Sequence, residues 1–219
     1  GGNNPGTLNG SQFDATFADA GSYVVQYQLT GVPSGCPDSE SIEILVFEAP
    51  SVGSVVSPVR VCAGDDTTIV LGELLENEDS GGIWSETSVI PSAIGFDAGA
   101  GFFYTGLEAP GTYLFDYSIS AQGPCAEAAV TVEVIIEDIP IADAGPDLEI
   151  TCDQSSVTVG GTSSSQGAEF SYKWTTLNGM VQEPNQLFTT VRDSGTYELA
   201  IRNDVTGCVS YDEVTVSVI

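Results

Sequence analysis

Residues 11–23 read SQFDATFADAGSY, residues 101–113 read GFFYTGLEAPGTY, and residues 185–197 read NQLFTTVRDSGTY. The three stretches align without a gap, and each ends in glycine, a serine or threonine, and tyrosine. The second stretch follows the first by 90 residues, and the third follows the second by 84. A repeat of this length is the size of a domain, so the sequence predicts a chain of similar modules.

Two segments with a period of two follow each of these stretches. In the second repeat, apolar residues occupy positions 113, 115 and 117, and again positions 130, 132 and 134. Alternation of this kind indicates strands with one face on a core and the other in water. Because a glycine-containing turn separates the two segments, each repeat is predicted to close with a hairpin. The sequence shows no sustained helical periodicity, so the predicted fold class is all-β, as tandem immunoglobulin-like β-sandwiches.

Aromatic residues recur at matching positions of the repeats. Trp84 lies 22 residues after Cys62, and Trp174 lies 22 residues after Cys152. A tryptophan flanked by cysteines resembles the core of immunoglobulin-like sandwiches, and the Asp-x-Gly-x-Tyr of the first and third repeats resembles the tyrosine corner of that fold. Ala109 replaces the aspartate in the second repeat. We predict that five aromatic residues belong to the core: Tyr23, Trp84, Tyr113, Trp174 and Tyr197.

Two proline-containing joints divide the chain, at residues 48–50 (EAP) and 138–140 (DIP). Proline ends the preceding strand and stiffens the short connection. The predicted modules are residues 1–48, 49–138 and 139–219, of which the first corresponds only to the C-terminal half of a module. We expect its other half to lie in sequence outside these 219 residues. Strands supplied by another chain are the alternative.

The five cysteines follow the repeats, two in each complete repeat and one, Cys36, in the half repeat. We predict disulfide bonds within repeats, Cys62 with Cys125 and Cys152 with Cys208, and a partner for Cys36 in the missing half. A bond between neighbouring repeats, Cys62 with Cys208, is the alternative, because the two cysteine-bearing turns of such a sandwich usually lie at opposite poles. Disulfides imply an oxidising, extracytoplasmic compartment. A zinc site is not indicated, since the chain has no Cys-x-x-Cys motif and no histidine.

Acidic residues dominate the charge, with 31 aspartates and glutamates against four lysines and arginines and a net charge of −27. Such a surface is soluble and repels itself, and it does not bind nucleic acid or an anionic membrane. No apolar run has the length of a membrane span. Calcium would complement this charge, and Asp143 and Asp147 are candidate ligands, as are Asp65 and Asp66. Since they form no dense ligand motif, we favour a solvated surface.

The sequence lacks the residue patterns of common catalytic sites. The absence of histidine excludes His-dependent triads and most proton shuttles. No glycine-rich phosphate-binding motif is present. We therefore predict a protein that is not an enzyme and has no cofactor. The extra residues between Trp84 and Tyr113 are interpreted as variable loop length, with an interaction loop as the alternative.

The third repeat carries a series of motifs that resembles a known family. The motifs are ADAGPD at residues 142–147, ITC at 150–152, YKW at 172–174, GTY at 195–197 and TGC at 206–208. In this order they are similar to the motifs of PKD-type immunoglobulin-like repeats in large cell-surface adhesins of gliding and other Bacteroidota-type bacteria, exported by the type IX route. The resemblance implies a sandwich fold and a cell-surface location. The second repeat lacks the lead-in motif, and the first can be compared only over its second half.

These observations predict a structural or adhesive segment of an extracellular repeat protein, a cell-surface adhesin stalk or filament without catalysis. Its partners would be neighbouring repeats of the same chain or filament, surface glycans or other cells. One alternative is a spacer or glycan-binding module of a large secreted polysaccharide-degrading enzyme, which exposed coplanar aromatic residues would favour. Another is a filament subunit that is completed by strand complementation.

Overall fold

A computed structural model describes residues 5–219, which form strands connected by turns. The helical part of these residues is a single 3-10 turn, Leu71–Leu74, and no helix among them is long and apolar enough to cross a membrane. The prediction of an all-β protein is confirmed. The strands are β1 (Thr7–Asn9), β2 (Gln12–Asp14), β3 (Gly21–Gln28), β4 (Ser39–Val46), β5 (Val52–Val55), β6 (Val59–Cys62), β7 (Thr68–Val70), β8 (Leu75–Glu78), β9 (Ile83–Glu86), β10 (Phe96–Asp97), β11 (Phe102–Tyr104), β12 (Gly111–Ile119), β13 (Ala128–Glu137), β14 (Leu148–Ile150), β15 (Val157–Val159), β16 (Phe170–Thr176), β17 (Thr189–Val191), β18 (Gly195–Asn203) and β19 (Val209–Val218).

The glycine and tyrosine that end each repeated stretch begin the long strand of a hairpin. β3 pairs antiparallel with β4 and β18 pairs antiparallel with β19, while β12 and β13 are neighbours in one sheet. Every second residue of β12 from Tyr113 to Ile119 is buried. The period-two pattern therefore identified both the strand and the face that it turns to the core.

The second and third repeats each build a four-stranded sheet with the same order. In the second repeat the order is β6-β13-β12-β9, and in the third it is β14-β19-β18-β16. In both sheets an edge strand, β6 or β14, runs parallel to the last strand of its repeat. Smaller sheets accompany them, β10-β11-β7 and β5-β8 in the second repeat and β15-β17 in the third. This two-layer arrangement is that of an immunoglobulin-like β-sandwich.

The core of the third repeat lies between its two sheets. Trp174 from β16 and Tyr197 from β18 belong to it, 3% and 0% exposed, together with aliphatic residues from β14, β15, β17, β18 and β19. Burial of apolar surface on this scale is the main favourable contribution to folding. The buried members are Ala144, Ile150, Val157, Val159, Trp174, Leu187, Val191, Tyr197, Leu199, Ile201, Val214 and Val216.

The first repeat contains the same closing hairpin without a comparable core. β3 and β4 form a two-stranded sheet, and β1 and β2 form another. None of residues 5–48 is buried, and the side chains of Tyr27 and Ile42 are 67% and 63% exposed, whereas the counterparts of Tyr27 in the other repeats, Tyr117 and Ile201, are buried. The hairpin in this repeat therefore leaves apolar surface uncovered that the equivalent strands of the other repeats bury.

The chain divides into two compact units. One comprises the N-terminal residues up to Val56 with Gly72–Ser85 and Phe115–Val132, and the other comprises Ser57–Leu71, Glu86–Leu114 and Glu133–Ile219. This division cuts through β9, β12 and β13, so it does not test the module boundaries at residues 48/49 and 138/139. Those boundaries stay predictions.

Candidate functional site

The three repeated tyrosines make the same hydrogen bond. The hydroxyl of Tyr197 donates to the backbone carbonyl oxygen four residues earlier at 2.7 Å, and Tyr113 and Tyr23 do so at 2.8 and 2.6 Å. Because the acceptor is a backbone atom, Ala109 serves as well as the aspartates of the other repeats. Tyr197 and Tyr113 are buried and Tyr23 is half-buried. Each bond ties the turn before the long strand to the strand itself, as a tyrosine corner does.

The two tryptophans differ in burial although their spacing from the preceding cysteines is equal. Trp174 is buried, and its indole N–H donates to the carbonyl oxygens of Gln186 and Leu187 at 3.1 and 3.3 Å. Trp84 is half-buried, and its ring centre lies 5.0 Å from that of Tyr117 with the two planes tilted by 43°. Trp174 is thus a core residue of the third repeat, while Trp84 keeps part of its ring accessible.

A surface hollow of about 170 Å³ lies beside Trp84. Tyr117, Glu78 and Ser80 contribute to its lining. The hydroxyl of Tyr117 is already engaged, since it donates to the carbonyl oxygen of Asp79 at 2.6 Å and accepts from a backbone N–H at 3.0 Å. The hollow therefore combines a partly exposed aromatic face with a carboxylate and a hydroxyl.

Cys62 and Cys208 form a disulfide bond, and their Cα atoms are 5.6 Å apart. The bond joins the end of β6 in the second repeat to the turn between β18 and β19 in the third. The predicted pairs Cys62–Cys125 and Cys152–Cys208 are wrong in this structure. The alternative pairing, between neighbouring repeats, is the one that the structure contains.

The strand registers explain why the pairs within repeats do not form. Cys62 lies beside the last residue of β13, whereas Cys125 precedes the first residue of that strand. At about 3.3 Å per residue, the two cysteines are separated by roughly 30 Å or more. Cys152 and Cys208 likewise lie at opposite ends of β19. A disulfide bond tolerates Cα atoms only up to about 7 Å apart.

The other three cysteines are free thiols. Cys36 and Cys152 are exposed, and Cys125 is half-buried. Cys36 and Cys125 occupy the turns of their hairpins, the same place that Cys208 has in the third repeat. The pairing of Cys36 with a cysteine outside these 219 residues stays a prediction.

The extra residues of the second repeat form a loop that two carboxylates hold in place. Glu108, only 7% exposed, accepts hydrogen bonds from the three backbone N–H groups of residues 93–95, at 2.7–3.0 Å. Glu86 accepts from the backbone N–H and the hydroxyl of Ser92, both at 2.7 Å. The side chains of Val89 and Ile90 in the same loop are 95% and 76% exposed. The loop therefore presents aliphatic side chains on a backbone that is fixed by hydrogen bonds.

These carboxylates also set the protonation states around them. Burial raises the pKa of Glu108, but its three N–H donors together lower the pKa by more, so the pKa lies below its ordinary value of 4.5. Burial, followed by the nearby charges of Glu108 and Glu86, raises the pKa of Tyr113. At neutral pH, Glu108 is therefore a charged acceptor and Tyr113 a neutral donor, as their hydrogen bonds require.

The sequence analysis missed Glu108. In the alignment of the three repeated stretches, its position is occupied by Ala18 in the first and Arg192 in the third. Glu108 is one of 31 acids, and nothing in the sequence distinguishes it from the others. Its role as an acceptor depends on the extra loop of the second repeat. The available hint was that this acid stands directly before the Ala-Pro-Gly-Thr-Tyr that ends the repeated stretch.

The candidate calcium ligands use their carboxylates within the fold. Asp143 accepts hydrogen bonds from the backbone N–H groups of Gly145 and Ser163 at 3.0 and 3.2 Å. Asp147 accepts from the backbone N–H of Thr215 at 2.8 Å. Among residues 5–219, no three metal-ligating side chains are grouped closely enough to hold an ion. Both aspartates therefore have a structural role that needs no metal.

Comparisons with known proteins give structural similarities alone. No known protein family matches the chain. No curated protein matches it. Solved structures to which it is similar include the PKD domain of the KIAA 1837 protein, at 28% identity and a TM-score of 0.29, over 35% of this chain and 85% of that one. The insect immune protein hemolin is 14% identical with a TM-score of 0.40, over 90% of this chain and 56% of its own. The I67–I69 fragment of the titin I-band is 11% identical with a TM-score of 0.43, over 94% of this chain and 77% of that one.

Proposed function

We propose that this chain is a non-catalytic structural and adhesive segment of an extracellular repeat protein, part of a stalk or filament at the cell surface. The disulfide bond between Cys62 and Cys208 is the observation that carries the proposal, because it joins the second repeat to the third. Structural disulfides are typical of oxidising, extracytoplasmic settings. A covalent bond between successive modules serves a protein that must keep its length under tension.

The mechanical effect of this bond follows from the length of chain that it encloses. The two cysteines are 146 residues apart in sequence. When the chain is pulled from its ends, force passes through the two sulfur atoms, so the enclosed residues cannot extend. Fully extended, those residues would add roughly 500 Å at about 3.4 Å per residue. The bond therefore prevents most of the lengthening that unfolding would otherwise produce.

The charge of the chain supports a water-exposed surface role. A net charge of −27 on 219 residues keeps the chain soluble and opposes its nonspecific association. The acids that the structure holds in place, such as Glu108 and Asp143, accept hydrogen bonds from backbone N–H groups. Their role is to fix loops, and the proposal assigns catalysis to none of them.

The proposal is tested on intact cells that carry the chain. Antibodies against residues 139–219 should label these cells without permeabilisation. Cells with the double variant Cys62→Ser/Cys208→Ser should detach at lower shear in laminar flow, because the unbonded segment can unfold and extend. Attachment without flow should change little, since the bond affects resistance to force.

Cys125→Ser is the matched control, because it removes a free thiol and leaves the bond between repeats intact. Its cells should detach at the same shear as the unaltered ones. Labelling that requires permeabilisation would refute the surface location. Equal resistance to shear in the double variant and the control would refute the structural role.

Glycan binding is a second candidate function, favoured by the hollow beside Trp84. An accessible aromatic face with neighbouring polar groups is the kind of site that holds a sugar ring. Titration with cello- and xylo-oligosaccharides should then change the tryptophan fluorescence in a saturable way, and Trp84→Ala should abolish the change. Tyr211→Ala, at an aromatic side chain that is 64% exposed, is the control. If the change in tryptophan fluorescence does not saturate up to about 10 mM sugar, the dissociation constant is above this concentration and glycan binding is excluded as a function.

A further inference from the structure

The hollow beside Trp84 lies in a part of the chain without positive charge. All of its lining residues belong to the compact unit that includes Gly72–Ser85 and Phe115–Val132. The sequence of this unit contains twelve aspartates and glutamates and no lysine, arginine or histidine. Since charges act over a Debye length of about 10 Å in 0.1 M salt, the hollow attracts cations and repels anions.

One acid in the lining of the hollow has a carboxylate without a partner. Glu78, the last residue of β8, is half-buried, and none of the hydrogen bonds or ion pairs found among residues 5–219 involves its carboxylate. The carboxylate of the next residue, Asp79, is engaged, since it accepts from the backbone N–H of Ser51 at 2.8 Å. A charge that is partly removed from water gains most from a partner of opposite sign. Glu78 therefore gives the hollow an uncompensated negative charge.

Two aromatic rings supply the second feature of a cation site. The rings of Trp84 and Tyr117 have centres 5.0 Å apart and planes tilted by 43°, so they form an angled wall. The face of an aromatic ring carries negative electrostatic potential and attracts a cation within about 6 Å of its centre, most strongly in tryptophan. Part of the Trp84 ring is accessible. Together with Glu78, these rings have the composition of an aromatic cage for an organic cation.

The turn between β8 and β9 holds this wall in place. The hydroxyl of Tyr117 donates to the carbonyl oxygen of Asp79 and accepts from the backbone N–H of Gly82. A Cβ atom at Gly82 would lie 2.3 Å from the ring of Tyr117, so this close approach requires glycine. Asn77, directly before Glu78, has a φ of 62°, a left-handed conformation that is uncommon outside glycine. Strained backbone of this kind is concentrated at ligand sites, where it fixes the geometry before a ligand binds.

The size and the polar groups of the hollow favour a methylated ammonium group. Its volume of about 170 Å³ has room for about six groups of the size of water, at about 30 Å³ each, which suits a trimethylammonium head. Pockets for drug-sized ligands are larger, at about 300–1,000 Å³. A primary ammonium has three N–H donors to satisfy, but the hydroxyl of Tyr117 already donates and accepts within the fold. Methyl groups need no such partners and fit a lining that includes Leu75.

We propose that this hollow binds a small quaternary ammonium cation of the choline type. The trimethylammonium group contacts the accessible face of Trp84, and the carboxylate of Glu78 is its counter-charge. The inference goes beyond the proposed structural role and does not depend on it. It also differs from the second candidate function, because the ligand is a cation and not a neutral sugar.

A comparison of ligands on the unaltered chain tests the charge and the methyl groups separately. Choline chloride replaces sodium chloride at constant ionic strength, and saturation-transfer NMR of the choline methyl protons measures binding. We expect saturation with a dissociation constant of about 1–10 mM. The neutral analogue with carbon in place of the nitrogen should compete about tenfold more weakly, because it lacks the attraction to the rings and to Glu78. Ethanolamine, with N–H groups in place of the methyl groups, should also compete about tenfold more weakly.

Three variants locate the site. Glu78→Gln removes the counter-charge at nearly the same shape and should raise the dissociation constant of choline about tenfold. Glu76→Gln, at an exposed acid on the same strand, is the matched control. It removes the same charge from the unit and should change the dissociation constant by less than about twofold. Trp84→Leu should abolish binding in protein whose circular dichroism is unchanged, and Glu78→Gln tests the site even if Trp84→Leu does not fold.

Four results would overturn the inference. Equal competition by the neutral analogue would show apolar packing alone, and equal competition by ethanolamine would show that the methyl groups have no role. Equal effects of Glu78→Gln and Glu76→Gln would show nonspecific attraction to the acidic surface. Choline that does not saturate up to about 50 mM would show that no such site exists.

The outcome is distinguishable from the other two proposals. Cello-oligosaccharides that bind at Trp84 while choline does not would support the glycan candidate and overturn this inference. The structural role is tested on cells through the bond between Cys62 and Cys208, so it can fail or succeed independently of choline binding.

Discussion

At the scale of single residues, backbone groups decide most of the polar contacts that shape this chain. The three corner tyrosines donate to carbonyl oxygens, and Glu108 accepts from three consecutive N–H groups. A backbone partner is present whatever side chain stands at its position. This explains why the tyrosine corner survives at Ala109, where the sequence departs from the aspartate of the other repeats.

Removal of one corner hydroxyl should weaken the third repeat. In Tyr197→Phe, the buried ring keeps its packing while the carbonyl oxygen of Asp193 loses its donor. The free energy of unfolding should fall by about 1 kcal/mol, the usual net contribution of such a hydrogen bond. Urea denaturation monitored by tryptophan fluorescence measures this loss. Tyr211→Phe, at a ring that is 64% exposed, should leave the midpoint unchanged, and an equal loss in both variants would contradict the assignment.

Replacement of Glu108 should destabilise the chain in a pH-dependent way. The folded-state pKa lies below the ordinary value, so the charged carboxylate stabilises the fold above pH 4.5, and this contribution is lost as the pH falls through the folded-state pKa. In Glu108→Gln, an amide NH₂ faces a backbone N–H and one charged acceptor is missing. We expect a loss of about 1–3 kcal/mol at neutral pH.

The difference between Glu108→Gln and the unaltered chain should shrink as the pH falls below 4.5, because the carboxyl group itself then becomes neutral. Chemical denaturation from neutral pH to pH 3 measures this trend. Glu127→Gln, at an exposed acid, is the control and should show no comparable loss. A destabilisation of Glu108→Gln that stays constant over the whole range would refute the role of the charge.

At the scale of secondary-structure elements, the parallel pairing of β6 and β14 determines where the cysteines can pair. β6 lies beside β13 and β14 lies beside β19, each in a parallel register. Cys62 and Cys152 therefore lie at the end of the last strand of their repeats, far from the hairpin turn where that strand begins. The bond can form only with a cysteine that another repeat brings to this pole.

Loss of the bond between Cys62 and Cys208 should have a large effect on stability. A crosslink that encloses 146 residues removes loop entropy from the unfolded chain that corresponds to about 5 kcal/mol at most. In a background with the three free cysteines changed to serine, Cys62→Ser/Cys208→Ser should lower the free energy of unfolding by about 2–5 kcal/mol. Chemical denaturation measures this difference. The triple-serine background is the reference, and an unchanged denaturation midpoint would contradict the bond.

At the scale of the whole molecule, like charge opposes the compact state. The net charge is −27 with only four basic residues, and the ion pairs found in the described chain are Arg60–Glu137 and Arg202–Asp204. The acids thus exceed the bases by 27. Their repulsion is long-ranged at low ionic strength and is screened within about 10 Å at 0.1 M salt.

Added salt should therefore raise the melting temperature. Between about 0.02 and 0.2 M sodium chloride, the Debye length falls from about 20 Å to about 7 Å, and we expect the midpoint to rise by several degrees. Differential scanning calorimetry measures the midpoint. Potassium chloride should give the same curve, because screening depends on ionic strength. A midpoint that is flat or falls with salt would show that repulsion does not limit stability.

The sequence by itself determined the all-β class, the closing hairpins and the corner tyrosines. Each of these features depends on a local signal: apolar residues with a period of two, a glycine in the turn, or a tyrosine at the start of the strand. Such a signal lies within about twenty residues of chain. The location of Trp174 in the core was predicted from its spacing from Cys152, which equals that of Trp84 from Cys62.

The tertiary structure alone decided the cysteine pairing, the accessible ring of Trp84 and the role of Glu108. Each depends on which distant segments meet, and a sequence repeat gives every copy the same local pattern without fixing that. Cys62 and Cys125 belong to one repeat in sequence, yet a ten-residue strand holds them at opposite poles of its sheet. The physical reason is the rigidity of an extended strand, whose length overrides closeness in sequence.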